Sequence, residues 1–240
     1  MNNELSNAFI LHQRPYRESS LLLDVFSEQY GRLSLIAKGV RKTKRNQAVN
    51  LQLYQPLLLS WFGHGELQTI TQIECVEARY ILQAESALCG LYINELLLRL
   101  LPLHDAEADI FAIYKQTLIK LQQADDNEVA LRLFEKKLLD HLGYGLVIDC
   151  ESETGQAIQA DQQYYYHIEL GLVRWQQDQG QLPISGRSLQ HLSSEQGFDQ
   201  QSLLEIKQLM RTVIHFYLGG KPLKSRQVFV EMNKYTSIKS

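Results

Sequence analysis

From about Ala84 the hydrophobic pattern of this chain changes period, and the change divides the sequence into two kinds of structure. Before it, five extended segments follow one another within about 75 residues, separated by glycine-bearing turns. Residues 8–14 read as a short apolar strand that Pro15 ends. Residues 19–27 alternate, with Leu21, Leu23 and Val25 on one side and Leu22, Asp24 and Phe26 on the other. Glu28-Gln29-Tyr30-Gly31 turns into a third segment, in which Leu33, Leu35 and Ala37 oppose Arg32, Ser34, Ile36 and Lys38. Leu51 to Phe62, interrupted by Pro56, and Glu66 to Val76, after the Gly63-His64-Gly65 turn, complete the set. A five-stranded barrel of the oligonucleotide-binding type is the smallest closed arrangement that hides most of the strand edges.

After Ala84 the period is helical. Leu88 to Leu103 is apolar almost all round, the pattern of a helix at the centre of a bundle. Asp105 to Gln122 is a second helix. Asn127 is placed to cap a third, whose Leu131, Phe134, Leu138 and Leu142 repeat before Gly143 and Gly145 end it. Residues 149–183 are polar and Gln-rich, with two short strand-like runs about Gly171 that predict an appended hairpin. A longer helix starts at Asp199 and stops at Gly219-Gly220, and Ser225 to Met232 has helical character. The expected class is α+β: a five-stranded OB-fold barrel over residues 1–80, then an α-helical bundle domain over 81–240. The helical part carries the 149–183 insertion and a basic tail over 219–240.

Charge is distributed unevenly along the chain, whose net charge is −3. Residues 1–80 hold nine Lys/Arg against seven Asp/Glu, residues 81–218 ten against nineteen, and residues 219–240 five against one. The run from Gly31 to Arg45 contains Arg32, Lys38, Arg41, Lys42, Lys44 and Arg45 and no acidic residue. Four cations in five positions repel one another too strongly for local partners to offset, so the loop calls for an external polyanion. A solvated loop is the competing reading. If ~6 phosphates are engaged, affinity falls ~10³-fold between 50 and 200 mM salt. Tyr30, Tyr54 and Trp61 are candidates for stacking on bases, packing being their alternative use. Lys221, Lys224 and Arg226 form a second basic cluster.

No enzyme signature stands out, so no catalytic residue, cofactor or metal site is expected. Gly219-Gly220-Lys221 lacks the spacing of a phosphate loop and follows a helix rather than preceding one. His64-Gly65-Glu66 has no downstream C-x-x-C to complete a deaminase zinc site. Cys75, Cys89 and Cys150 are odd in number and widely spaced, which argues against a disulfide framework. No signal peptide or membrane span is visible, and a cytoplasmic, nucleoid-associated protein is expected. Arg132 lies beside the apolar stripe of the third helix. There Glu128 and Glu135 can pair with it on an exposed face, or it can take the carboxylate of a partner's chain end.

Phe9 to Phe26, Gly31 to Lys42, Gly90 to Leu97, Leu142-Gly143-Tyr144-Gly145 and Leu218 to Arg226 together resemble the RecO family of bacterial recombination mediators. The resemblance implies an N-terminal OB-fold and a helical domain, with binding of single- and double-stranded DNA and annealing of complementary strands. It also implies help in loading recombinase onto DNA coated by single-stranded DNA-binding protein. RecR and the acidic C-terminal tail of single-stranded DNA-binding protein are the implied partners, Arg132 holding the tail. Arg14, Arg32, Lys38, Arg41, Lys42, Lys44, Arg45, Lys221, Lys224 and Arg226 are the expected DNA contacts. Many members of that family carry a four-cysteine zinc module after the third helix. Here only Cys150 stands where its first ligand would be, with Glu153 in place of the second, so a zinc-free hairpin is expected. An RNA-binding barrel protein and a protein-interaction adaptor without nucleic-acid binding are the alternatives.

Overall fold

The computed structural model describes residues 2–41, 51–63, 65, 67–176 and 182–237. They form two compact units: Met1–Asp125 together with Leu223–Ser240, and Asp126–Pro222.

In the first unit, β1 (Asn2–Tyr16), β2 (Ser20–Ser27), β3 (Gly31–Ala37), β4 (Leu57–Phe62) and β5 (Leu67–Cys75) close a barrel in the order β1-β2-β3-β5-β4. Only β3 and β5 run parallel. The alternation in the sequence decides which side chains fill it. Ile10, Leu23, Val25, Leu35 and Leu59 are fully buried inside, as are Leu33 and Ala37 of the basic strand to within 2%. Each of the buried Leu, Ile and Val side chains contributes roughly 1.5–3 kcal/mol of apolar burial.

β1 does not stop at Pro15 as the sequence suggested. Its pairing to β4 ends at Ala8, and from there to Tyr16 β2 alone lies beside it, so an open edge tolerates a proline that a central strand would not. A bulge falls between Ile10 and His12, leaving Leu11 out of register. Its carbonyl is met from a helix: the buried Asn94 Nδ2 donates to Leu11 O at 2.9 Å, and Tyr114 Oη donates to Asn94 Oδ1 at 2.7 Å. Phe9 and Phe26, side by side in the β1–β2 ladder, pack on Phe111 and Tyr114 with ring centroids 5.2–6.4 Å apart.

Those partners come from α1 (Ala84–Leu100) and α2 (Ala108–Gln123). α1 starts earlier than the apolar run suggested and is not buried all round: Ile93, Leu96 and Leu97 are inaccessible, whereas Leu91 is 40% exposed. Leu101 is extended before Pro102, which ends the helix. The next residues are drawn to the barrel, Leu103 bridging Arg32 and His104 N donating to Arg32 O at 3.0 Å, so α2 begins at Ala108 rather than Asp105. Gly31 makes this approach possible. Its φ is +64° and a Cβ there would fall 1.7 Å from Asp105 O. The last helix, α6 (Lys224–Ser237), returns to this unit against α1.

In the second unit, α3 (Asn127–His141) is capped by Asp126, whose carboxylate accepts from Val129 N, and not by Asn127. The predicted hairpin is present as β6 (Gln163–His167) and β7 (Gly171–Arg174), and a two-residue β8 (Ile184–Ser185) makes a three-stranded sheet of order β7-β6-β8. α4 (Gly186–Ser194) follows. α5 (Gln200–Tyr217) opens with a capping box between Asp199 and Ser202 and ends where Gly219 and Gly220 adopt positive φ. Among the described residues, no helix is long and apolar enough to cross a membrane.

Candidate nucleic-acid interface

One end of the barrel gathers cations. Arg14, near the end of β1, is exposed. Arg17, in the β1–β2 turn, is exposed and lies over the Tyr16 ring at 5.3 Å. Lys38 and Arg41, just past β3, are exposed too. The chain beyond β3 is tied to the turn, since Arg41 N donates to Ser19 O at 3.0 Å and Arg41 Nη1 to Arg17 O at 3.4 Å. None of these four cations makes an ion pair among the described residues. Lys42, Lys44 and Arg45 lie outside the described residues.

Arg17 was absent from the sequence-based set. The signal that reveals it is the hairpin register, because pairing Tyr16 with Ser20 and Leu21 with Ala37 brings the turn to the exit of β3.

Arg32 is used differently from expectation. It is half-buried, its Nε donates to Leu101 O at 3.1 Å, and burial pulls its guanidinium below the usual arginine range, with Asp24 partly opposing. It fastens the 101–105 segment to β3 instead of standing on an open positive face. The aromatic candidates also differ. Trp61 is 4% exposed and belongs to the barrel core, and Tyr30 stands edge-on to it at 5.2 Å. Tyr54 is buried, its hydroxyl has no hydrogen-bond partner among the described residues, and desolvation pushes that hydroxyl well above the ordinary tyrosine range. Packing, not base stacking, is the use that Trp61 and Tyr54 serve.

The second basic cluster is divided. Lys221 is exposed at the end of the second unit. Lys224 and Arg226 open α6, and Arg226 lies 5.6 Å over the Tyr92 ring with Nη2 3.4 Å from Tyr92 Oη. Glu95 of α1 sets this helix in place. Its carboxylate accepts from Lys224 N at 2.9 Å, Ser225 N at 2.8 Å and Ser225 Oγ at 2.7 Å. Burial alone would raise its pKa, but the bonds from Ser225 and Lys224, with Arg99 nearby, outweigh that and hold it below the ordinary value of 4.5. A depressed carboxylate contributes stability above its unfolded pKa and loses it as pH falls through the lower folded one. The amide resonances of Lys224 and Ser225 are therefore expected to titrate together at a pH below 4.5, and Glu95→Gln to remove that step. Amide shifts that stay flat through the acid range would contradict the latch.

Arg132 is neither exposed nor shared between two glutamates. It is 5% accessible, pairs with the fully buried Glu135 at 3.0 Å, and has no acceptor for its Nε among the described residues. Glu128 instead meets Lys207 of α5 at 2.8 Å. Where the zinc module of the family would lie, Cys150 is the single thiol of the second unit. Glu151 beside it accepts from Arg174 Nη2 at 3.0 Å and Nε at 3.2 Å, and from Thr154 Oγ1 at 2.8 Å. The residues present do not fit a zinc site, and an ion pair ties the hairpin down. Among the described residues no group of three or more His, Cys, Asp or Glu is placed to hold a metal ion.

A closed five-stranded barrel of the oligonucleotide-binding type with a basic rim, joined to helices, defines the class. The family described as "Recombination protein O N terminal" matches residues 1–79, and "Recombination protein O C terminal" matches residues 82–227. Proteins named DNA repair protein RecO are similar along nearly the whole chain. That of Nitrosococcus oceani is 42% identical over 98% of this chain and 96% of its own. Those of Methylococcus capsulatus and Coxiella burnetii are each 41% identical, over 94% and 93% of this chain and 92% and 96% of theirs. The chain belongs to the RecO family of DNA repair proteins.

Proposed function

We propose that this chain acts in DNA repair as a non-enzymatic mediator, in the cytoplasm at the nucleoid. It binds single- and double-stranded DNA, anneals complementary strands and, with RecR, helps load recombinase onto DNA coated by single-stranded DNA-binding protein. Residues 1–80 supply the DNA surface and residues 81–240 the partner contacts, with Lys221, Lys224 and Arg226 as a further DNA contact.

The observation that carries the reading is the cluster of Arg14, Arg17, Lys38 and Arg41, exposed and without an ion pair among the described residues at one end of a barrel, in a chain whose net charge is negative. Chains of like charge anneal slowly because their phosphates repel. A surface that neutralises both lowers that barrier while reading no sequence. Lys42, Lys44 and Arg45 extend the same charge along the chain.

For the partner tail, the support is the Arg132 Nε, a buried donor with no acceptor among the described residues, to which an incoming carboxylate would offer a charge-assisted bond. The test is strand annealing with and without single-stranded DNA-binding protein. The chain is expected to accelerate annealing in both conditions. Arg132→Lys, which keeps the charge opposite Glu135 but loses the planar fork, is expected to anneal naked strands normally and to bind the isolated acidic tail at least tenfold more weakly. A chain that anneals no strands would sink the proposal, and unchanged tail affinity would remove Arg132 from it.

A further inference from the structure

The strand registers place one cross-strand row on the outer surface of the barrel. Phe62 of β4 pairs with Thr69 of β5, Thr69 with Ile36 of β3, Ile36 with Leu22 of β2, and Leu22 with Arg14 of β1. Directly paired residues point to the same side of a sheet, so these five side chains share one face. The inward-facing neighbours confirm which face it is: Trp61, Leu35 and Leu23 are in the core. Arg14 and Phe62 stand at opposite ends of the row. Four strand spacings separate them, roughly 19 Å along the curved surface.

Phe62 is the aromatic residue of this row, and it is 44% exposed at the end of β4. Leu67, two residues before Thr69 and so on the same side of β5, is 40% exposed beside it. Ile36 and Leu22 fill the middle of the row, half-buried. Lys38 continues the outward side of β3 past Ile36 and is exposed. The adjacent row contains one acid, Asp24, which already faces His12 at 3.4 Å and accepts from Ser34 Oγ at 3.3 Å.

We infer that Phe62 is a stacking platform for an unpaired nucleobase, with the phosphates of the same strand running along the row towards Lys38 and Arg14. This rests on the DNA-binding reading above and adds to it the residue that grips an unpaired base. The combination favours nucleic acid over a protein partner, because a ring exposed at one end and cations at the other match a polymer that carries an apolar π-face and an anion in every unit. A base inside a duplex is already stacked on both sides, so the ring distinguishes unpaired from paired strands.

The experiment is fluorescence anisotropy with a labelled oligothymidylate and with a blunt duplex of equal length, using the full chain and Phe62→Ala, Phe62→Leu and Phe62→Trp. Phe62→Ala and Phe62→Leu are expected to bind the oligothymidylate roughly tenfold more weakly, with the salt slope and the duplex affinity unchanged. Phe62→Trp is expected to keep parental affinity. Because Phe62→Leu retains the apolar cover over the sheet, a loss in that variant reports the ring and not the fold. Unchanged oligothymidylate affinity in Phe62→Ala, while the parent binds, overturns the inference alone. An equal loss on the duplex also overturns it. Absence of nucleic-acid binding by the parent overturns the underlying reading as well.

Discussion

Replacing Arg14, Arg17, Lys38 and Arg41 together by alanine is expected to reduce the slope of log affinity against log salt for single-stranded DNA by up to about three, and to weaken binding at low salt on the order of a hundredfold. The expectation follows from exposure: all four side chains face solvent, and none is committed to a carboxylate among the described residues. Their removal therefore leaves no buried group unpaired, and the fold should survive, which a circular dichroism spectrum and thermal midpoint would check. Arg32→Ala makes the contrasting control. Its guanidinium holds Leu101 O, so its loss should lower stability more than it alters the salt slope. A quadruple variant with the parental slope would exclude this rim from contact with phosphates.

The second large effect concerns stability. Asn94→Leu keeps the branched heavy-atom skeleton of the parent in a bulkier form but strands two polar groups in the interior, the Leu11 carbonyl at the β1 bulge and the Tyr114 hydroxyl. Each buried group left without a partner costs about 1–3 kcal/mol, so the variant should lose about 3 kcal/mol and unfold roughly 10 °C lower. Tyr114→Phe removes one bond but leaves Asn94 bonded to Leu11, and should cost about 1 kcal/mol. The two substitutions share a network, so their effects should not add. Thermal unfolding of both single variants and the double variant measures this, and parental stability in Asn94→Leu would show that the bulge carbonyl needs no helix to satisfy it.

The barrel was legible because its signals are local. The alternation of Leu33, Leu35 and Ala37 against Arg32, Ser34 and Ile36 is a period-2 pattern that can be read without knowing any neighbour, and the structure follows it residue by residue. The Asp199 start of α5 and the Gly219-Gly220 stop are equally local, whereas the cap of α3 was read one residue late, at Asn127 instead of Asp126. What escaped was whatever depends on a partner distant in sequence. Arg32 looked like a free cation on a polar face until the 101–105 segment, about seventy residues on, was seen to dock on it. Trp61 and Phe62 are adjacent aromatics, and only the register of β4, with its irregularity between Ser60 and Trp61, decides that Trp61 turns inward and Phe62 outward. For Arg132 the two flanking glutamates allowed an exposed, solvated ladder as one of two readings. Packing of α5 against α3 claims Glu128 for Lys207, while Arg132 and Glu135 are buried.

The first unit is discontinuous in the chain: it is left at Asp125 and rejoined at Leu223. On the ribosome, the barrel with α1 and α2 must therefore wait for nearly a hundred intervening residues to be synthesised before α6 emerges to cover Tyr92 and satisfy Glu95. During that delay the nascent barrel exposes an uncovered helix face and a carboxylate lacking its final donors. Late premature termination, removing only α6, would thus perturb the amino-terminal unit rather than the portion translated just beforehand.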